Sequence, residues 1–331
     1  MTRRILLIAI GLLTSIAAVT WAAKGIEWQG LAVVLAGVPA LVPLAAVATY
    51  LFSFAPRAYR SMWMLAGAGP APLSLAHAGE AQIMGYAANN VLPLRLGEFV
   101  RVFALHKLAR LPRFTGLASL LAERILDGLM VVLILGGTVI WFASHGTHFG
   151  QTAVKPLLYT GAALFAAAVV ALLILASMIR WITDLSERLL PPRLHTAVQN
   201  ILNALAFFRD PKRALGVVTL SALVWLVEGS AFVLVIASLG VKEPWMTGYF
   251  MLAIVNLGIL LPSAPGYVGV FQACGILAFQ VLGLPREQGM AASLLIHICQ
   301  FLPITVIGLL LASRHGWSLS GMAKTNSTSN S

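Results

Sequence analysis

Long apolar segments are the feature that most restricts what this chain can fold into. The stretch 215–239, for example, contains a single charged residue, Glu228. Several segments approach the roughly 20 residues that an α-helix needs to cross about 30 Å of hydrocarbon. Charged residues make up 10% of the sequence, whereas a soluble domain carries about 25%. A soluble fold is therefore excluded, and the sequence predicts an all-α polytopic membrane protein.

The hydropathy pattern predicts six complete spans and two interrupted ones. The complete spans lie at about 5–23, 30–55, 117–143, 156–180, 215–239 and 287–312. Two further apolar stretches, 72–109 and 244–283, are each broken near the middle by Pro and Gly. Such breaks free backbone groups that lipid cannot satisfy, so we expect both stretches to be re-entrant helical hairpins buried within protein.

The basic residues predict the orientation. With six crossings and a cytoplasmic N-terminus, most Lys and Arg residues fall on the cytoplasmic side, next to the anionic inner leaflet. The outside then keeps only Lys24, Lys155, Lys242 and Arg286. Both termini are therefore expected in the cytoplasm. The net charge of +11 is scattered between apolar runs and does not indicate nucleic-acid binding.

We expect one membrane domain over residues 1–320 and a disordered tail at 321–331. A first repeat at about 30–143 and a second at about 215–312 are joined by the 156–180 span and the connector 181–213. The connector places Val198 and Leu202 at helical spacing, which is typical of a helix on the inner membrane surface or of a solvated linker helix.

The two interrupted stretches share the pattern Leu-Pro-x-x-x-Gly. It occurs at Leu92–Gly97 and Leu261–Gly266, which predicts hairpin tips at Pro93, Gly97, Pro262 and Gly266, offset by 169 residues. In the topology above the two units have opposite orientations. Inverted repeats of this kind can alternate between two packings around a site near the bilayer midplane.

Ionisable residues within apolar segments are the candidate binding residues, because a buried charge is costly in a membrane. The predicted substrate-binding residues are Asn89, Asn90, Arg95, Glu98, Arg101, Glu123, Arg124 and Asp127. We expect Glu98 to pair with Arg101, and Glu123 and Asp127 to share one helical face from which they bridge to Arg95 or Arg101. Three alternatives stay open: the arginines anchor the inner leaflet, the acidic cluster carries protons, or the acidic cluster is a structural salt bridge between hairpin and span.

Glu228, His297 and Gln300 form a second group, a candidate proton or polar relay. An internally hydrogen-bonded acid and a packing histidine are the alternatives. The sequence contains no metal-ligand cluster, phosphate-binding loop, nucleotide fingerprint or nucleophile–His–acid set. We therefore expect no cofactor, no metal and no catalytic residues.

The runs NNVLPLRLGEFVRVFAL, ERILD and LPSAPGYVGVFQ resemble signatures of the lysylphosphatidylglycerol synthase transmembrane-region family, a flippase-like membrane domain. The resemblance covers about residues 10–312, and we expect a stand-alone member without the synthase domain. By resemblance, the functional positions are Asn90, Pro93, Arg95, Gly97, Glu98, Arg101, Glu123, Arg124, Asp127, Pro262 and Gly266.

The function expected from these observations is translocation of an anionic or zwitterionic envelope lipid between leaflets of a bacterial inner membrane. The lipid classes implied are phospholipids, aminoacyl-phospholipids, polyprenyl-phosphate glycolipids and hopanoids. The alternatives are a membrane enzyme that modifies lipid head groups and a non-transporting partner subunit of a lipid-synthesis complex. Besides the lipid, the expected partners are further copies of the chain or lipid-synthesis enzymes.

The charge distribution makes a testable prediction about topology. Cysteines introduced beside Lys155 and Lys242 should react with a membrane-impermeant reagent added to intact cells, whereas cysteines beside Lys107 and Arg209 should react only after the cells are permeabilised. Labelling at position 107 from outside would exclude the inverted-repeat arrangement.

Overall fold

The computed structural model describes residues 2–145 and 210–317, with a few single residues between them. This part of the chain contains no strand, in agreement with the predicted all-α class. Its helices are α1 (Thr2–Ala23), α2 (Trp28–Ala36), α3 (Leu41–Phe52), α4 (Phe54–Met64), α5 (Leu75–Val91), α6 (Gly97–Ala109), α7 (Arg113–Ser144), α8 (Pro211–Ser238), α9 (Pro244–Gly258), α10 (Val270–Val281) and α11 (Arg286–Arg314).

Within the described ranges, four helical segments are long and apolar enough to cross a membrane. They are Leu41–Met64, which joins α3 and α4, and helices α7, α8 and α11. A fifth candidate arises if α1 and α2, which are bent by 86° relative to each other, are counted as one span. The predicted spans 117–143, 215–239 and 287–312 correspond to α7, α8 and α11. The predicted span 156–180 falls outside the described residues, so the count of six stays a prediction.

The predicted span 30–55 has the wrong boundaries. Helix α2 ends at Ala36, and α3 begins only at Leu41. Pro39 lies between them, and its ring and missing N–H disrupt helical hydrogen bonding at this position. The crossing candidate is therefore Leu41–Met64, which places Arg57 and Arg60 within the span and not after it.

One face of the predicted connector helix is buried against protein. Most of residues 181–213 and all of the tail 321–331 lie outside the described residues. Leu202 is described, however, and is only 4% exposed. It lies in an apolar cluster with Met64, Ala122, Leu126 and Val217, against which Val198 packs. Leu202 and Val198 therefore pack against protein, and the position of the connector on the membrane surface or in solvent stays a prediction.

Helices α5 and α6 form the first hairpin. Ser74 begins α5, where its Oγ accepts a hydrogen bond from the His77 backbone N–H at 3.1 Å, as N-cap residues do. The backbone is extended at Leu92, and a 3-10 turn at Pro93–Arg95 then leads into α6. Gly97 lets the two helices touch, because a Cβ there would overlap the Gly85 carbonyl oxygen and Asn89.

Helices α9 and α10 form the second hairpin, with a 3-10 turn at Pro265–Tyr267 between them. A Cβ on Gly258 would overlap the Cys274 sulfur, so the two helices are in close contact. The tip also packs against α1, since the Ala264 backbone N–H donates to Ser15 Oγ at 2.8 Å. Both interrupted stretches are therefore packed helix–turn–helix hairpins, and their re-entry into a membrane stays a prediction.

The two hairpin tips share one local backbone conformation. Each contains a 3-10 turn that begins at a proline, Pro93 in the first and Pro265 in the second. Each turn ends at a non-glycine residue with positive φ, Arg95 at 55° and Tyr267 at 60°. Because left-handed backbone is uncommon outside glycine, this agreement supports an equivalence between the tips.

The register of that equivalence differs from the predicted one. Pro93 matches Pro265, so equivalent residues are 172 apart and not 169. Gly97, at the start of α6, then matches Gly269, which immediately precedes α10. Pro262 precedes the second turn, and Gly266 lies inside it with φ 70°.

The chain divides into two compact units, each containing one hairpin. The first-hairpin unit comprises Phe54–Asp127, Ala167–Val224 and Ile304–Ser331. Its core packs small residues, such as the fully buried Ala81 and Ala104, against larger apolar side chains. The second-hairpin unit comprises Met1–Ser53, Gly128–Ala166 and Trp225–Pro303, and its core includes the buried rings of Phe232, Phe250 and Phe279. The predicted limits of the domain and repeats stay predictions.

Gly97→Ala should destabilise the first hairpin, because the added methyl would overlap backbone atoms of α5. Overpacking costs about 1–3 kcal/mol, so the thermal unfolding midpoint of the detergent-purified protein should fall. Gly136→Ala is the matched control, since no described atom lies within 4 Å of its added methyl. An unchanged midpoint for Gly97→Ala would contradict the close packing at this tip.

Candidate functional site

Five charged residues are almost completely buried in the first-hairpin unit. Arg57 is 2% exposed, Arg60 1%, Arg101 2%, Glu123 1% and Asp127 4%. Glu123 lies ten residues into the apolar helix α7, a distance of about 15 Å along the helix axis. Charges removed from water in this way are stable only when they are paired and hydrogen-bonded.

Arg60 joins α4 to two other helices. Its Nη1 lies 2.6 Å from Asp127 Oδ1, and its Nη2 lies 3.2 Å from Glu123 Oε2. Nη1 also donates to Ser221 Oγ on α8 at 3.0 Å. One guanidinium therefore contacts both carboxylates of α7 and a hydroxyl of α8.

Arg101 joins α6 to the same carboxylate. Its Nη2 and Nη1 lie 2.5 Å and 2.9 Å from the two oxygens of Glu123, the bidentate geometry that makes arginine–carboxylate pairs strong. The buried side chains of Ser61 and Gln82 add hydrogen bonds to Glu123 at 3.1 and 3.5 Å. Glu123 therefore connects α4, α5, α6 and α7.

The edge of this network is partly open to the surroundings. Arg124 Nε lies 3.2 Å from Glu98 Oε1, and these side chains are 38% and 21% exposed. Beside them, Arg57 Nη1 donates to the Tyr86 hydroxyl at 2.9 Å. The Arg57 and Arg124 guanidinium carbons lie 5.3 and 6.0 Å from the centre of the Tyr86 ring, within the range of cation–π attraction.

The charges of the whole network do not cancel. Four guanidinium groups, those of Arg57, Arg60, Arg101 and Arg124, accompany the carboxylates of Glu98, Glu123 and Asp127. This set has one excess formal positive charge. Arg57 is only 2% exposed, so three buried guanidinium groups face two buried carboxylates, whereas the partly exposed Arg124–Glu98 pair is neutral. The excess therefore lies in the buried part of the set, beside the partly open edge, and would attract an anion toward it.

The structure brings together five of the predicted substrate-binding residues. They are Glu98, Arg101, Glu123, Arg124 and Asp127. The expected bridge from the acidic cluster to Arg101 is present. The expected Glu98–Arg101 pair is wrong, because Arg101 points to Glu123 and Glu98 pairs with Arg124.

The other three predicted residues lie at the first hairpin tip. Asn89 Oδ1 accepts a hydrogen bond from the Gly97 backbone N–H at 2.8 Å and so caps α6. Asn90 Nδ2 donates to Thr305 Oγ1 at 2.8 Å. Arg95 ends the 3-10 turn and is partly exposed. The two asparagines thus have structural roles at the tip, and Arg95 is its charged residue.

Six members of the network are not among the residues that the sequence predicts. They are Arg57, Arg60, Ser61, Gln82, Tyr86 and Ser221. The two arginines follow the predicted span 30–55, which ends too early, and so fall in a predicted cytoplasmic segment. Pro39 was the available signal, since ending the helix there moves the next span over both arginines.

The predicted relay residues all belong to the second-hairpin unit. Glu228 is 7% exposed on α8. The His297 ring on α11 lies between Gln272 and the Gly266 carbonyl. Gln300 Nε2 is buried and has no hydrogen-bond partner among the described residues. A continuous relay through these three side chains stays a prediction. Across the described residues, no group of three or more His, Cys, Asp or Glu side chains is placed to hold a metal.

These features define an all-helical, multi-pass membrane protein: apolar helices, two helix–turn–helix hairpins and a buried ion network. The chain belongs to the family described as the lysylphosphatidylglycerol synthase TM region, which it matches over residues 8–308. The resemblance drawn from the sequence motifs is therefore confirmed.

One curated relative is the glycosyltransferase AglD of Haloferax volcanii. The two sequences are 24% identical over an alignment of 339 residues, and the alignment covers 93% of this chain and 54% of that protein. The chain thus spans about half the length of the relative it matches. No solved structure matches the chain.

Glu123→Gln should strongly destabilise the protein, because it leaves the buried Arg60 and Arg101 without their shared carboxylate. Breaking a buried pair costs about 3–5 kcal/mol, which chemical unfolding in detergent should detect. Asp210→Asn is the matched control, because it removes a half-exposed pair with Arg213, worth about 0–1 kcal/mol. Equal losses for both variants would show that the buried network contributes no special stability.

Proposed function

We propose that this protein is a lipid translocator that moves an anionic or zwitterionic envelope lipid between the leaflets of a bacterial inner membrane. Its head group would bind at the partly open edge of the ion network, which we name the Arg124 edge: Tyr86, Glu98 and Arg124. The buried Arg57 is hydrogen-bonded to Tyr86 of this edge. The family's description, which names a phospholipid synthase region, is consistent with a lipid ligand.

The observation that carries this proposal is the difference in exposure within one charge network. The side chains of Arg60, Arg101 and Glu123 are 1–2% exposed, whereas that of Arg124 is 38% exposed. Arg124 Nη1 also lies 3.6 Å from the buried Asp127 Oδ2, but a head group can reach Arg124 while Arg60 keeps its pairs with Asp127 and Glu123. Glu98 is the ion partner that an incoming phosphate would replace.

The chemistry of the Arg124 edge suits a phosphate. Guanidinium groups bind phosphate oxygens through two parallel hydrogen bonds, and the excess positive charge of the network favours a net anionic ligand. A zwitterionic head group would also fit, because its cationic end could pair with Glu98 once the phosphate occupies Arg124.

The hairpins supply the proposed route for movement. Unwound turns let polar groups be satisfied within a membrane protein, and two equivalent hairpins in opposite orientations would allow alternating access. We propose that the first and second hairpins form such an inverted repeat. The acyl chains would stay in hydrocarbon, while the head group passes the polar tips.

Arg124→Gln should slow lipid transport about tenfold or more, since a hydrogen bond to a charged group is worth about 1.5–3 kcal/mol. The measurement is dithionite quenching of fluorescent phosphatidylglycerol in liposomes that contain the purified protein. Protein-free liposomes and an uncharged fluorescent lipid are the controls. Wild-type transport of phosphatidylglycerol by a folded Arg124→Gln protein would exclude the Arg124 edge as the binding site.

Arg95 provides a second test with a closely matched control. Arg95 and Arg110 lie on either side of α6 and have nearly the same left-handed backbone, with φ values of 55° and 54°. Arg95→Gln and Arg110→Gln therefore carry similar conformational costs. We expect only Arg95→Gln to reduce transport severely; equal activity of the two variants would assign Arg95 to surface anchoring.

A head-group-modifying enzyme is the second candidate, and the glycosyltransferase name of the relative favours it. This candidate predicts a new lipid mass when the protein is incubated with liposomes and activated sugars or aminoacyl donors. Transport without any change in lipid mass would favour the translocator. A partner subunit would show neither activity alone, but would co-purify with a lipid-synthesis enzyme.

A further inference from the structure

His297 connects helix α11 to the tip of the second hairpin through a chain of three hydrogen bonds. The Gly269 backbone N–H donates to Gln272 Oε1 at 2.8 Å. At the other end of that amide, Gln272 Nε2 lies 2.9 Å from His297 Nδ1. His297 Nε2 lies 2.7 Å from the carbonyl oxygen of Gly266. These hydrogen bonds therefore link His297 to both glycines of the tip, Gly266 and Gly269.

These partners determine which ring nitrogen carries a hydrogen. A backbone carbonyl can only accept, so His297 Nε2 must donate to Gly266. Because Gln272 Oε1 already accepts from Gly269, the amide nitrogen faces Nδ1 and donates to it. Nδ1 must then be unprotonated. Only a neutral imidazole satisfies all three hydrogen bonds.

A second proton on the ring would break this chain. It would place an Nδ1–H group opposite the Gln272 amide donor. Rotating the amide would give Nδ1 an acceptor, but would turn the amide NH₂ toward the Gly269 N–H. In either arrangement one buried hydrogen bond is lost, and an unsatisfied buried donor is unfavourable.

We propose that His297 is a positioning residue that acts as a proton-controlled latch on the second hairpin. In its neutral form it holds Gly266 and Gly269 in their left-handed conformations, with φ values of 70° and 87°. Protonation releases the tip from α11. The proposal concerns the conformation of the hairpin and goes beyond the proposed lipid transport.

The surroundings of the ring make His297 the titrating group. The Phe271 ring stacks on the His297 ring, with 4.6 Å between the ring centres, and the Phe301 ring contacts it edge-on, with 5.8 Å between the ring centres. The other segments of the second-hairpin unit add few titratable groups. Residues 5–23 of α1, residues 28–52, which span α2 and α3, and residues 128–144 of α7 contain no Asp, Glu, His, Lys or Arg. Helix α10 carries only Cys274 as a titratable group. Helix α9 and the turn contribute one tyrosine each, Tyr249 and Tyr267.

Within the second-hairpin unit, the helices α8 and α11 carry three charged residues. Arg286 and Glu287 are at the distant start of α11. Glu228 lies one turn before Phe232 on α8, and Phe232 stacks on Phe271 at 6.4 Å. Glu228 is therefore the carboxylate whose titration the experiment must separate from that of His297.

The test is amide hydrogen exchange of the full chain in lipid nanodiscs between about pH 8 and pH 5, a range that spans the usual titration of histidine near 6.5. After correction for intrinsic rates, peptides from 259–272 should exchange about tenfold faster at the lower pH, because the tip opens more often. Peptides from 90–98 are the internal control, since the first tip is capped by Asn89, which does not titrate. A second tip whose protection is independent of pH would overturn the proposal.

Variants of the chain itself separate a latch from a merely structural histidine. Gln272→Glu should reverse the response, because a carboxylate accepts from both the Gly269 N–H and a protonated ring, and so holds the tip in acid. His297→Gln should make protection of the tip independent of pH. His106→Gln is the matched control, since that ring contacts the Leu111 carbonyl in the first-hairpin unit and should leave the response unchanged.

Two further outcomes would overturn the proposal. One is loss of the pH response in Glu228→Gln, which would assign the proton to that carboxylate. The other is a ¹⁵N spectrum of His297 in which the ring is protonated on both nitrogens at pH 8. Hydrogen exchange reports on the tip and the ¹⁵N spectrum reports on the His297 ring. Neither measures lipid transport, so a failure of the latch is distinguishable from a failure of lipid transport.

Discussion

The Glu123 carboxylate is the group on which the first-hairpin unit depends. It accepts hydrogen bonds from Arg60 on α4, Arg101 on α6 and Gln82 on α5 while itself lying on α7. Lipid chains are as apolar as the helix surfaces, so the hydrophobic effect does not drive helices together in a membrane. Polar contacts and close packing hold them together instead. In an apolar interior each charge also requires its partner. One carboxylate can therefore position four helices, and the first hairpin is held by charge as well as by its glycine contacts.

Each hairpin must also satisfy the backbone groups that its turn exposes, and the two hairpins do so differently. In the first, Asn89 of α5 caps the start of α6. In the second, Gln272 caps its own helix, α10, through its side-chain oxygen, and its side-chain nitrogen is hydrogen-bonded to His297 of α11. The equivalent turn positions carry Arg95 and Tyr267. The tips thus share a backbone but differ in chemistry: one presents a cation, and the other is tied to a titratable ring.

The ion network combines two roles that would conflict in a single pair. Completely buried pairs give a rigid arrangement but cannot exchange partners without a large loss of stability. The Arg124–Glu98 pair, which is partly exposed, can exchange at low cost because solvent or a head group can replace either partner. A stable core beside an exchangeable edge is what a binding site for a charged head group requires, and it is the basis of the proposed function.

The sequence alone determined the all-helical membrane class, both interrupted hairpins, the family and the charged residues 98–127, because hydropathy, helix-breaking residues and motifs are local properties of the chain. The sequence also contains the break at Pro39, which separates α2 from α3. The partners of the charges were decided only by the tertiary structure. Arg60 and Asp127 are 67 residues apart and Arg60 and Ser221 are 161 apart, and no periodicity extends across such separations. Three-residue spacing brought Glu98 and Arg101 near each other on α6, but helix α7 offered each a better partner, since a buried charge pairs with the group that packing brings within reach.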